Sequence, residues 1–118
     1  MATIKSFTDI PQSKKLAEFL PIESADMCFV NDGTAIKIDA NSYNVRKHVW
    51  KDEGVQLTPC WSLAALLSVL PNGIVMNKDS QNGRYHFSST HAGTYVTTDN
   101  PIDACYEMIL KLNELKML

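Results

Sequence analysis

Apolar residues recur at helical spacing in two segments near the ends of the chain. The first covers residues 9–20, and Pro21 ends it because proline disfavours helical geometry at the residue before it. The second covers about residues 101–115. Asn100 is a suitable N-cap there, and Pro101 takes the first helical position, where its missing N–H costs nothing. The pattern therefore predicts one helix in each segment.

A further helix is predicted in the middle of the chain, beginning just after Thr58. Thr58 is a natural N-cap, and Pro59 follows it at the first helical position. Leucines at helical spacing come next, and Pro71 ends the segment. This interpretation places Cys60 at the second position of the central helix.

Short strand-like runs separated by turn residues occupy much of the remaining chain. Residues 27–30 and 34–40 flank Asn31-Asp32-Gly33, a sequence that accepts the positive φ of tight hairpin turns. Three later runs, each followed or preceded by a glycine-containing turn, predict an antiparallel meander: residues 74–77, 85–90 and 95–98.

The order helix, hairpin, helix, meander, helix predicts an α+β fold. Three helices pack on mostly antiparallel strands, namely an N-terminal hairpin and a C-terminal three-strand meander, and no alternating βαβ array is expected. The chain has 118 residues, no internal repeat and no linker rich in proline, glycine or serine. We therefore expect a single α+β domain over residues 1–118.

The charge balance disfavours nucleic acid and membranes as partners. The formal net charge is −2, whereas binding to either anionic partner usually needs a basic excess. The longest apolar-rich segment, residues 61–70, is about half the length of a membrane span. One basic and aromatic patch is a candidate binding site, although two acidic residues follow it directly: Arg46, Lys47, Trp50 and Lys51.

Three aromatic residues of the predicted meander would lie on adjacent strands: Tyr85, Phe87 and Tyr95. Such a group is compatible with a stacking platform for single-stranded nucleic acid, so weak nucleic-acid binding is one alternative function. Cross-strand pairing in a core or on a surface explains the same residues and agrees better with the acidic charge balance.

The three cysteines have no C-x-x-C spacing, which predicts buried thiols in a reducing compartment. The first residues lack the pattern of a signal peptide, so we expect a cytoplasmic protein. No phosphate-binding glycine loop and no metal-ligand spacing occurs. The sequence therefore predicts neither a cofactor nor a metal.

Cys60 raises one enzymatic alternative, a small cysteine-dependent hydrolase. A thiol in the first turn of a helix lies near the positive end of the helix dipole, which lowers its pKa and favours the nucleophilic thiolate. His86 and His91 follow on or beside predicted strands, in the chain order of papain-like hydrolases. The glutamine-bearing segment of that family is not visible before Cys60, and the chain is short for its fold.

Several blocks of the sequence form a recognisable signature: residues 7–10, 12–16 and 24–27, residues 59–67, and residues 100–105. Together these blocks resemble a group of short uncharacterised proteins encoded by Bacteroides and related gut bacteria, often in phages, prophages or mobile elements. The resemblance implies a small cytoplasmic accessory protein and assigns no catalytic residue.

The leading hypothesis from the sequence is a non-enzymatic accessory protein that binds another protein. The chain has clear helix and turn signals but no convincing catalytic set of residues. We expect a partner to bind either at exposed strands that carry Tyr and Thr side chains, or at the patch around Trp50.

Overall fold

The computed structural model describes residues 5–31, 33–38 and 54–118. In chain order its elements are α1 (Ile10–Ala17), a 3-10 helix (Ile22–Ser24), β1 (Met27–Val30), β2 (Thr34–Lys37), β3 (Leu57–Cys60), α2 (Leu63–Val69), β4 (Ile74–Lys78), β5 (Tyr85–Ser89), β6 (Thr94–Thr98) and α3 (Pro101–Glu114). The strands form two three-stranded antiparallel sheets. The predicted α+β class, with its N-terminal hairpin and C-terminal meander, is confirmed.

The chain divides into two compact units. The N-terminal unit is Phe7–Ala65, and the C-terminal unit combines Met1–Ser6 with Leu66–Leu118. The single domain stays a prediction, because a division into compact units does not say whether either part folds alone.

In the N-terminal unit, β1 lies between β2 and β3. Cys28 of β1 is opposite Ile36 of β2. Cys28 and Ile38 are buried together, and three partly buried apolar side chains pack against them: Ile22, Ile36 and Leu57. Helix α1 packs against β3.

Helix α1 begins with a reciprocal pair of capping hydrogen bonds. The Asp9 carboxylate accepts from the Gln12 N–H at 2.8 Å, and the Gln12 side chain accepts from the Asp9 N–H at 3.1 Å. This arrangement satisfies two N–H groups that the helix itself leaves free. The first predicted helix is thus confirmed, although it ends at Ala17 rather than near residue 20.

The predicted start of the central helix is wrong. Thr58 and Cys60 belong to strand β3, and α2 begins only at Leu63. The residue that caps α2 is Ser62, whose Oγ accepts a hydrogen bond from the Ala65 N–H at 3.2 Å.

Pro59 fits a strand because its missing N–H is not needed at that position. The Asn31 N–H donates to the Gln56 carbonyl at 2.6 Å, and hydrogen-bonded pairs alternate along an antiparallel ladder. Thr58 and Cys60 therefore bond to β1, whereas Pro59 faces the outer side of the strand. Because β3 is an edge strand of the described sheet, proline is accommodated there.

Trp61, which directly follows β3, is fully buried and hydrogen-bonded on three sides. Its N–H donates to Thr8 Oγ1 at 3.1 Å, and its carbonyl accepts from the Thr8 N–H at 2.9 Å. Its indole N–H donates to Ser24 Oγ at 2.9 Å. The Thr8 hydroxyl is also 2.7 Å from the Ser13 hydroxyl. Trp61 thereby joins the segment before α1 to the 3-10 helix and to β3.

In the C-terminal unit, β5 is the central strand of the meander β4-β5-β6. Phe87 lies opposite Met76 on one side and Val96 on the other. Phe87 and Val96 are buried because α3 packs against β5 and β6 on their face. The predicted C-terminal helix and its cap are confirmed, since the Asn100 side chain accepts from the Ile102 N–H at 2.8 Å.

Replacing Thr8 by valine removes the acceptor for the Trp61 N–H while keeping the shape of the side chain. The buried N–H is then unsatisfied, so we expect the free energy of unfolding to fall by about 1–3 kcal/mol. Urea denaturation of the wild type and the variant measures this change. Thr34→Val is the matched control, because Thr34 is exposed on β2. An equal loss of stability in both variants would contradict the role given to Thr8.

Candidate functional site

Cys60 does not have the surroundings of a nucleophile. It lies at the end of β3 and is fully buried, so the predicted contact with a helix dipole is wrong. Burial, with smaller contributions from the nearby Cys28 and Asp26, raises the pKa of the Cys60 thiol to about 12. A thiol with this pKa is almost entirely protonated at neutral pH, which is the opposite of what thiolate catalysis requires.

The two candidate histidines belong to the C-terminal unit, whereas Cys60 belongs to the N-terminal unit. His86 lies on β5, and His91 lies in the turn before β6. The His91 ring lies over Gly73, where an added Cβ would come within 2.6 Å of the His91 Cδ2. Gly73 also has a φ of +88°, a conformation that glycine adopts without strain.

The patch of Arg46, Lys47, Trp50 and Lys51 lies outside the described residues. Among the residues that are described, no group of three or more His, Cys, Asp or Glu side chains is arranged to hold a metal ion.

The clearest gathering of polar side chains is on the C-terminal sheet, on the face opposite α3. We call this surface the outer face. Directly opposed residues of an antiparallel sheet point to the same side, so the register defines the face as three rows across the strands. The rows are Val75–Ser88–Tyr95, Asn77–His86–Thr97 and Asp79–Arg84–Asp99.

His86 is the centre of the middle row and contacts a hydroxyl and a carboxylate. Its Nδ1 is 2.8 Å from Thr97 Oγ1, and its Nε2 is 3.6 Å from Asp79 Oδ2. The hydrolase alternative paired Cys60 with His86 or His91, whereas the contacts of His86 within the C-terminal unit orient its ring across the sheet.

Asp79 is held at the end of β4 by the turn that follows. Hydrogen bonds from the backbone N–H groups of Gln81 and Asn82, with a smaller contribution from His86, lower the pKa of the Asp79 carboxyl below its usual value of 3.8. The two backbone donors lie 2.7 and 3.3 Å from Asp79 Oδ1. Asp79 is therefore an anion on the outer face at neutral pH.

Arg84 and Asp99 complete the third row with an ion pair. Arg84 Nε is 3.0 Å from Asp99 Oδ1, and both side chains are largely exposed. An exposed pair of this kind adds little stability, but it fixes the direction of both charged groups. The row presents two carboxylates and one guanidinium.

The aromatic residues of the meander do not form one platform. Tyr85 and Phe87 lie on the face that packs against α3, whereas Tyr95 is opposite Ser88 on the outer face. Tyr95 is 70% exposed. The sequence interpretation grouped the three because it considered strand neighbours without their register. The exposure of Tyr95 beside the buried Val96 shows that these two neighbours point to opposite faces of the sheet.

No protein-family model, curated protein or solved structure was found to match this chain. Within the described ranges, none of the helices has the length and apolar character needed to cross a membrane.

The three thiols should be unreactive in the folded protein. Cys28, Cys60 and Cys105 are buried and are not joined in disulfides, and burial raises the pKa of Cys105 to about 12 as well. We expect a thiol reagent such as Ellman's reagent to modify them only slowly at pH 7 and completely in guanidinium chloride. Ser80→Cys provides an exposed thiol as the positive control. Rapid modification of Cys60 in the native protein would support the hydrolase alternative instead.

The turn after β4 should lose stability in acid. Because the pKa of Asp79 is lowered in the folded state, its contribution is complete above about pH 4 and is lost as the pH falls through the folded pKa. Asp79→Ala should therefore destabilise the protein more at pH 7 than at a pH near 2, as judged by urea denaturation. Ser80→Ala, an exposed change in the same turn, should show no such difference. An effect of Asp79→Ala that does not vary with pH would refute this reasoning.

Proposed function

We propose that this protein is a non-enzymatic accessory protein that binds another protein through the outer face of its C-terminal sheet. The observation that carries the proposal is the exposure of Tyr95, at 70%, in the same row as the 53% exposed Val75. Tyrosine is enriched at the centres of protein interfaces because its ring supplies apolar area and its hydroxyl a hydrogen bond.

The polar rows beside Tyr95 favour selective binding of one partner over nonspecific apolar association. His86 already contacts Thr97 on one side and Asp79 on the other, so its position is set before a partner arrives. Groups that are held in place lose less conformational freedom on binding, which favours affinity. Their pattern of donors and acceptors favours one partner over another.

The charges of the outer face favour a protein over a nucleic acid. Asp79 and Asp99 bring two negative charges against the single positive charge of Arg84. Phosphate backbones are bound mainly by lysine and arginine, so this face would repel them. The location we propose is the cytoplasm, because none of the three cysteines forms a disulfide. The resemblance to short uncharacterised proteins of Bacteroides and related gut bacteria, often encoded by phages or mobile elements, implies a small accessory protein and agrees with this proposal.

The experiment is a capture assay with matched variants. The wild-type chain, Tyr95→Ala and Leu115→Ala are immobilised separately and exposed to the same lysate of the source cell, and bound proteins are quantified by mass spectrometry. Leu115 is the control because it is also exposed, at 52%, but lies at the end of α3, away from the outer face.

We expect one protein to bind to the wild type and to Leu115→Ala but to be lost with Tyr95→Ala. With the purified partner, calorimetry should show that Tyr95→Ala weakens binding about tenfold or more, as expected for a tyrosine at the centre of an interface. If nothing is enriched on the wild type, or if Tyr95→Ala binds the partner equally well, the proposal is wrong.

A further inference from the structure

Within the part of the chain that the structure describes, strand β4 is an edge strand, and it has apolar side chains exposed on both of its faces. Val75 points to the outer face and Met76 to the opposite face, and each is 53% exposed. Helix α3 packs against β5 and β6, so β4 extends past the part of the sheet that the helix covers. Exposed apolar edge strands are rare in isolated proteins, because they offer unpaired backbone groups to another strand.

The register defines which backbone groups of β4 point outward. The Thr90 N–H donates to the Gly73 carbonyl at 3.1 Å, and the Asp79 N–H donates to the Arg84 carbonyl at 2.8 Å. Odd-numbered positions of β4 therefore bond to β5, because bonded pairs alternate along the ladder. The N–H and C=O groups of the even-numbered residues face away from the sheet: Ile74, Met76 and Lys78. In the described part of the chain, none of these groups has a backbone partner outside the sheet.

We propose that β4 pairs with β4 of a second copy of this chain, antiparallel and symmetric about Met76. The two meanders then form one continuous six-stranded sheet. The proposal does not rest on the outer face as a binding surface; it rests on the geometry of β4 alone. Identical chains commonly associate by such a two-fold axis, in which the same surface is used by both partners.

The strand is complementary to itself in this register. Ile74, Met76 and Lys78 lie opposite Lys78, Met76 and Ile74 of the second copy. Each chain contributes three outward N–H groups and three outward carbonyls, so the pairing closes six backbone hydrogen bonds. This is the only antiparallel register in which all five residues of each strand are paired.

The position of the charge on β4 also favours a second copy of this chain as the partner. Lys78 is the one charged residue of the strand, and symmetry about Met76 places it opposite Ile74, so like charges are not opposed. Its Nζ lies 5.4 Å from the centre of the Tyr85 ring of its own chain, which keeps the ammonium group on its own sheet. A two-fold axis at Lys78 would instead bring two lysines together.

Sedimentation equilibrium from micromolar to millimolar concentration is the first test. We expect a reversible monomer–dimer equilibrium for the wild type. Met76→Pro removes only an outward N–H, so it should keep the β4–β5 ladder and weaken the dimer by about tenfold or more. Ala35→Pro is the matched control and should leave the dimer unchanged, because Ala35 occupies an outward position on β2, which is an edge strand of the other sheet among the described residues. Circular dichroism of each variant reports whether the fold is kept.

A cross-linking test covers the case in which Met76→Pro does not fold. Residues that face each other as a hydrogen-bonded pair have Cα atoms about 5.5 Å apart, within reach of a disulfide. Met76→Cys should therefore form a covalent dimer under mild oxidation. Ser80→Cys should not, because the proposed pairing places the two copies of residue 80 far from each other.

The proposal is overturned if the wild type is a monomer at every concentration. It is equally overturned if folded Met76→Pro dimerises as the wild type does, or if Met76→Cys and Ser80→Cys cross-link to the same extent. A wild type that stays monomeric would leave the edge of β4 available to a strand of a different protein. Unchanged dimerisation of Met76→Pro, or equal cross-linking of the two cysteine variants, would mean that the dimer uses another surface.

Discussion

The burial of Trp61 is the constraint on which the N-terminal unit depends. A fully buried indole and its backbone leave three polar groups that must find partners, because each unpaired group costs about 1–3 kcal/mol. Thr8 satisfies both backbone groups, and Ser24 accepts from the indole. The next residue, Ser62, is fixed as well, since the Asp26 carboxylate accepts from its N–H at 2.9 Å and from its hydroxyl. Thr8, Ser24 and Asp26 are thus all hydrogen-bonded to two consecutive residues.

The same constraint explains why Cys60 is not a catalytic thiol. The strand that brings Trp61 into the interior brings Cys60 with it, and burial raises the pKa of the thiol to about 12. At the N-terminus of α2 it is Ser62, not Cys60, that lies at the helix start, and its Oγ accepts from an N–H of the first turn. The hydrogen bonds that stabilise the unit therefore keep Cys60 buried, and the thiol lacks the lowered pKa that a cysteine at a helix start would have had.

The C-terminal unit is built differently: one helix covers one face of a meander. Helix α3 buries Phe87 and Val96 and leaves the opposite face to water. That face carries opposed charges and hydrogen-bonded polar groups, which suits an exposed sheet, but it also carries Tyr95. Exposed apolar area at Tyr95 and along β4 is the feature that a partner would remove from water.

The sequence by itself determined the α+β class, the hairpin, the meander and the C-terminal helix, because turn residues and helix caps act on their immediate neighbours. It did not determine the secondary structure of Thr58 and Pro59. These residues suit a helix start and an edge strand equally well until β1 pairs with them. It also did not determine the outer face, because Tyr95 and His86 share a surface only through the register of β5 and β6. Capping is local, whereas register and burial depend on contacts between residues far apart in the chain, and only the tertiary structure decides those.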